Sequence, residues 1–292
     1  PCFVRFMDIA GLVEGASHGE GLGNQFLAEI RPVDAVVHVL RCFADPQVSH
    51  VYAEVDPVRD AGVIETELML ADLDLLDRVA ARWEREWRTH PREHAAERER
   101  IARFREALAT GTPLRRMELT DDERRELKGL GLLTAKPLLW VANVAEEGDA
   151  APVDAALAGE VVPVAAQLES ELMELDPDER AQMRAELGMC DSGLDRLVRA
   201  AFRALGLISF FTALKGKLQA WEVPEGATAP EAAGKVHTDM ERGFIRAQVV
   251  GWEELVETGG MAELKQRGSV RTVGRDYQVR DGDVVEFLFH HG

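Results

Sequence analysis

Phe3-Val4-Arg5-Phe6-Met7-Asp8-Ile9-Ala10-Gly11, followed by a loop to Asn24 with glycine at 15, 19, 21 and 23, is the stretch on which the reading of this chain turns. Phe3 to Met7 is an apolar run that reads as a strand, and the strand delivers a D-x-x-G. At a strand end that pattern sets a carboxylate, Asp8, where it can hold Mg²⁺ through water. It also sets a glycine, Gly11, whose backbone N–H can approach a terminal phosphate. On these four residues alone, an ordinary strand-to-loop turn is the better reading. The glycine-rich loop behind it can reorganise cheaply, as a switch segment must, or it can be a flexible surface loop.

Working outward, an apolar-patterned helix near Asn24 to Ile30 and a strand at Ala35 to Leu40 continue a strand, loop, helix and strand rhythm that predicts α/β with a parallel sheet. From about residue 65 the period changes. Met69, Leu73, Leu76, Ala80, Trp83 and Trp87 recur in steps of four and three, and Ile101, Phe104 and Leu108 repeat the pattern after a break at His90-Pro91. Such spacing predicts an antiparallel helical hairpin whose first arm, Met69 to Trp87, is roughly 27 Å long. Strand-like runs return at Pro137 to Val141 and Val161 to Ala165, with an amphipathic helix from Ser192 to Leu205, so the hairpin reads as an insertion. After Gly206 come strands at Leu218 to Val223, Phe244 to Val250 and Val284 to Phe289 around an alanine-rich helix, Ala229 to Val236. This is the pattern of a compact α+β module of β-grasp type. The expected division is 1–64 and 133–206 for the α/β domain, 65–132 for the insertion and 207–292 for the last module.

The strand at Pro137 to Val141 delivers Asn143-Val144-Ala145-Glu146. A guanine site carries N-K-x-D at such a strand end, where the carboxylate accepts from the guanine edge and the lysine packs along the base. Valine in place of lysine and the longer glutamate in place of aspartate spoil that geometry, and a polar cap on a strand explains the four residues equally well. A further strand, Val161 to Ala165, brings Ala165 and Ala166 to where such folds place the backbone that closes over a base.

Composition narrows the partners. With 292 residues and 46% hydrophobic content, the chain can bury more than one core. Three scattered cysteines read as reduced thiols of a cytoplasmic protein, with neither a metal nor a redox motif. No apolar run is long enough for a membrane span. A net charge of −18 argues against coating DNA through bulk electrostatics. Within 207–292 there are 10 Lys plus Arg against 13 Asp plus Glu, so any RNA contact through His237, Arg242 and Arg246 would be a small local patch.

In order and spacing, Asp8 through Asn24, Arg41-Cys42-Phe43, Asp56-Pro57, Glu67 to Asp74, Asn143 to Glu146 and His237 to Ala247 resemble the Obg-like ATPase (YchF) family. The resemblance covers essentially the whole chain. It implies a P-loop GTPase-type domain, an inserted coiled-coil arm and a C-terminal TGS domain. It further implies a cytoplasmic, translation-associated switch hydrolysing ATP or GTP with Mg²⁺ on Asp8, base contacts from Asn143, Val144, Glu146, Ala165 and Ala166, and a ribosome or ribosomal RNA partner.

The chain opens on Pro1 and goes straight into an apolar run, and its 292 residues hold no G-x-x-x-x-G-K-S loop, so an N-terminal truncation and an inactive fragment are expected. Leu12 stands where Ras-like enzymes carry a water-orienting glutamine. His50, at the family's matching histidine, is the candidate for that role, although a surface loop histidine is the better reading from the residues alone. A non-enzymatic ribosome- or RNA-binding adaptor remains the alternative.

Overall fold

The structure, a computed structural model, describes residues 2–9, 22–52, 54–145, 151–189, 191–214 and 217–290. The chain divides into two compact units, one of Met7–Ala200 and one combining Pro1–Phe6 with Ala201–Gly292.

In the first unit, α1 (Leu22–Ile30) precedes β1 (Val36–Arg41), and three helices follow: α2 (Pro57–Thr89), α3 (Ala95–Ala109) and α4 (Asp121–Leu130). Next come β2 (Leu138–Asn143), α5 (Ala151–Ala156), β3 (Val161–Val164), α6 (Ala166–Met173), α7 (Pro177–Glu186) and α8 (Gly193–Ala204). The strands pair in parallel in the order β1-β2-β3, and Arg41, Asn143 and Val164 are register partners at their carboxyl ends. Central β2 is the unbroken apolar run that a strand covered on both faces requires. Trp140 packs with Leu40, Ala61 and Val153, while Leu139 packs with Val162 and Ala200.

The strand expected at Phe3 to Met7 is not present. Those residues lie outside any helix or strand, and Phe3, Phe6 and Met7 are exposed. An apolar run becomes a strand only when a neighbour satisfies its backbone N–H and C=O groups. Among the described residues, β1 stands at the edge of its sheet and pairs with β2 alone.

Helix α2 begins at Pro57, well before residue 65. Asp56 caps it, its carboxylate accepting from the Val58 and Arg59 N–H groups at 3.1 and 3.0 Å, and proline at the first helical position costs no hydrogen bond. Its first half buries Ala61, Leu68 and Ala71 against the sheet and α1. Beyond that, Leu76 and Trp87 join Ile101, Phe104 and Leu108 of α3, with Met69, Leu73, Ala80 and Trp83 packed around them. The two helices run antiparallel, since Asp77 pairs with Arg105 while Trp87 Nε1 donates to Glu97 at 3.2 Å. Asp72, wholly buried midway along α2, accepts from the Leu133 N–H (2.8 Å), the Thr134 N–H (2.7 Å) and the Thr134 hydroxyl (2.7 Å). Burial pushes its pKa up against the pull of those three donors.

The second unit is a five-stranded sheet with flanking helices. The hairpin β4 (Leu207–Leu214) and β5 (Lys217–Pro224) is followed by α9 (Ala229–Val236), α10 (Thr238–Arg242), β6 (Phe244–Gly251), α11 (Trp252–Thr258), α12 (Met261–Arg267), β7 (Arg271–Val273) and β8 (Asp283–Phe289). Strand order is β5-β4-β8-β6-β7, with β4 and β8 parallel and the other pairs antiparallel. Ala229, Ala232 and Ala233 let α9 lie close on Phe210, Val249 and Val285.

Candidate functional site

Ligands of parallel α/β sheets sit outside the carboxyl ends of the strands, and here those ends gather polar groups. Asn143 closes β2, and its Oδ1 accepts from the Ala166 N–H at 3.4 Å, tying the loop after β2 to the first turn of α6. The Val144 N–H donates to the Val164 carbonyl at 3.1 Å. The side chain of Val144 turns inward with Ala142 and Ala165, so only its backbone remains to face a ligand. Ala165 is likewise buried, whereas Ala166 is exposed. Glu146 and Gly11 lie outside the described residues.

Asp8 is described and exposed. Among the described residues no group of three or more His, Cys, Asp or Glu could hold a metal ion. An exposed single carboxylate fits Mg²⁺ of the kind that takes one or two carboxylates together with substrate phosphates, and not a site built wholly of protein ligands.

At the carboxyl end of β1, Arg41 organises the loop that follows. Its guanidinium donates to four backbone carbonyls: Phe43 (3.1 Å), Asp45 (3.0 Å), Val48 (3.0 Å) and Ser49 (3.3 Å). His50 comes next in that loop, and both of its ring nitrogens are engaged. Nδ1 lies 3.2 Å from the Tyr52 N and 3.3 Å from the Tyr52 O, accepting from the first or donating to the second according to the tautomer, and Nε2 lies 3.1 Å from Asp60 Oδ2 in the first turns of α2. Asp60 Oδ1 accepts from Arg59 Nε (3.2 Å) and Nη2 (3.0 Å), and the Arg59 guanidinium stands 4.3 Å from the centre of the Tyr52 ring. Below them on β1, half-buried His38 lies 5.3 Å from the Trp140 ring, and burial lowers its pKa to about 4 despite the nearby Asp60 charge. The structure thus brings Asn143, Val144, Ala165 and Ala166 together, and fastens His50 to α2. Sequence reasoning passed over Arg41 as a loop organiser and over Asp60, Arg59 and His38. The one available signal was Asp56-Pro57, a helix start that places Asp60 one turn in.

In the second unit, His237 is exposed and its Nδ1 accepts from the Asp239 N–H at 3.2 Å, so the ring caps α10. Arg242 and Arg246 are exposed.

Residues 207–290 match the family described as YchF-GTPase_C, "Protein of unknown function (DUF933)". Over 99% of its length the chain is 42% identical to the ribosome-binding ATPase YchF of Bacillus subtilis (strain 168) and 43% identical to that of Escherichia coli O157:H7, covering 82% of each. It superimposes on the structure of the Schizosaccharomyces pombe YchF GTPase with a TM-score of 0.81 at 27% identity, over 92% of this chain and 76% of that one. Fold and similarity together define the class, an α/β protein whose curated relatives are named ribosome-binding ATPases. Within that class the chain belongs to the YchF family.

Proposed function

We propose that the chain belongs to a cytoplasmic, ribosome-associated switch that hydrolyses ATP, and GTP no better, to the diphosphate and phosphate. On this reading residues 1–64 and 133–206 form the GTPase-type domain and 65–132 a coiled-coil docking arm. Residues 207–292 are a TGS domain that adds a small RNA-facing patch around Arg242 and Arg246. Asp8 would hold Mg²⁺, which supplies charge neutralisation at the phosphates. Gly11 would offer its backbone N–H to the terminal phosphate, and His50 would orient water once its ring is free.

The observation that carries the reading is the bond from the Ala166 N–H to Asn143, which draws two backbone segments together at the end of the central strand. Asn143 and neighbouring backbone groups can serve the amino and ring nitrogens of adenine. Guanine would need a rigid carboxylate accepting from N1–H and the amino group together, and the sequence at 146 has glutamate, one methylene longer than the aspartate of such a site. Val144, being buried, leaves no lysine-like side chain along the base. Discrimination against adenine rests on leaving buried polar groups unpaired, and that penalty is then missing.

Competition binding of ATP and GTP to the intact protein tests the proposal. ATP should bind at least as well as GTP, and Asn143→Ala should weaken ATP by about tenfold, one lost polar contact. A preference for GTP of a hundredfold, roughly 2.7 kcal/mol, defeats this reading of the base side.

A further inference from the structure

An imidazole has two nitrogens, and a histidine that orients water must present one of them. His50 presents neither, because Nδ1 pairs with the Tyr52 backbone and Nε2 faces Asp60. Resting on the catalytic reading of His50, we propose that this arrangement is an autoinhibitory lock: Asp60 withholds His50 from the reaction, and freeing that bond is what switches turnover on.

Three features make the contact a built one. His50 and Asp60 are largely buried, with side chains 19% and 18% exposed, so water competes weakly for the bond. Asp60 is itself held, since Arg59 engages its other oxygen, lies over Tyr52 and donates to the Glu54 carbonyl at 2.8 Å. The far side of the loop is stapled by the four bonds from Arg41, so His50 sits between two fixed ends. Among the described residues, the charged groups held against the ring are Asp60 and, through it, Arg59, both on α2. All of this is anchored on the first turns of the helix that continues unbroken to Thr89. A partner that displaces α2 acts on Asp60 directly, and needs no contact with the reacting groups.

The test is steady-state ATP turnover by the intact protein, comparing wild type with Asp60→Asn, Asp60→Ala, His50→Ala and the double variant Asp60→Ala/His50→Ala. Both Asp60 variants should raise basal kcat about fivefold or more with KM unchanged, since a lock of that size leaves the competent form a minor population. The gain should vanish in the His50→Ala background, which a merely structural role for Asp60 would not produce. Unchanged or reduced turnover in both Asp60 variants, with His50→Ala impaired, overturns the lock and leaves the catalytic reading of His50 standing. Wild-type turnover by His50→Ala overturns both. Should Asp60→Ala fail to fold, Asp60→Leu, close in volume and without a hydrogen-bonding group, decides through ¹⁵N spectra of the His50 ring. Faster exchange of its Nε2 proton supports the lock, and unchanged exchange overturns it.

Discussion

Replacing Asp72 by asparagine should be among the most costly single-atom changes available to this chain. One carboxylate oxygen accepts from the Leu133 N–H, and the other from the Thr134 N–H and hydroxyl. The amide can keep the pair of bonds from Thr134 only by turning its NH₂ toward the Leu133 N–H. That leaves two buried donors facing each other without an acceptor, at about 1 to 3 kcal/mol apiece, so a loss near 3 kcal/mol is expected. Rotating the amide the other way strands the Thr134 N–H instead and leaves the Thr134 hydroxyl to accept where it had donated. Urea titration followed by fluorescence should show the destabilisation, with Trp83, Trp87 and Trp140 reporting from the same unit. Amide exchange supplies the local reading: Leu133 and Thr134 should open roughly a hundredfold more often. Stability within about 0.5 kcal/mol of wild type, a change typical of featureless surface sites, together with unchanged exchange at Leu133, would refute the claim that these donors depend on Asp72.

Gly282 has a φ of +82°, and a β-carbon there would lie 2.4 Å from Cδ1 of Trp252, so Gly282→Ala should cost about 2 kcal/mol and shift Trp252 emission. Adding Trp252→Ala should recover part of the loss, and an additive double variant would argue against the contact. His38 is neutral when folded, with its pKa lowered to about 4, so the folded state binds fewer protons than the unfolded chain. Stability should therefore fall as pH drops from about 6.5 towards 4, by no more than about 3 kcal/mol. His38→Leu should flatten that decline, measured as thermal midpoints against pH, and an unchanged slope contradicts the assignment. Arg41→Ala should cost only about 1 kcal/mol globally because the loop is largely solvated, yet proteolysis within residues 43–50 should quicken markedly. Equal cleavage rates would mean that the four carbonyl bonds do not hold the loop.

What the sequence made legible was whatever repeats or alternates. The apolar run of β2, the steps of four and three through Leu76 and Trp87, and the alanine spacing of α9 all follow from burial of one face, and each corresponds to an observed element. Alternation also held information that was passed over: Trp140, Ala142 and Val144 share one side of β2 and its extension, which already implies that Val144 faces the core. Phe3 to Met7 failed as a strand because hydrophobicity speaks for burial only where a partner edge exists. Helix α7 was missed because it buries no residue, so its pattern carries no apolar stripe. At the site, Asp8 and Asn143 stood out through spacing, but the tie between His50 and Asp60 joins a loop residue to a helix residue through one hydrogen bond. No periodicity encodes such a contact.

Helix α2 also has a mechanical meaning. Asp72 pins it near the middle, about 18 Å along the axis from Asp60 and about 26 Å from Thr89, at 1.5 Å of rise per residue. A stiff rod turning on that fulcrum is a lever with nearly matched arms, so each ångström of travel at the far tip becomes about 0.7 Å at Asp60. Little mechanical advantage is required. A tip displacement of about 1.5 Å stretches the 3.1 Å bond to His50 by roughly an ångström, beyond hydrogen-bonding range. A displacement imposed at the hairpin's end would therefore arrive at its root as a sub-residue movement.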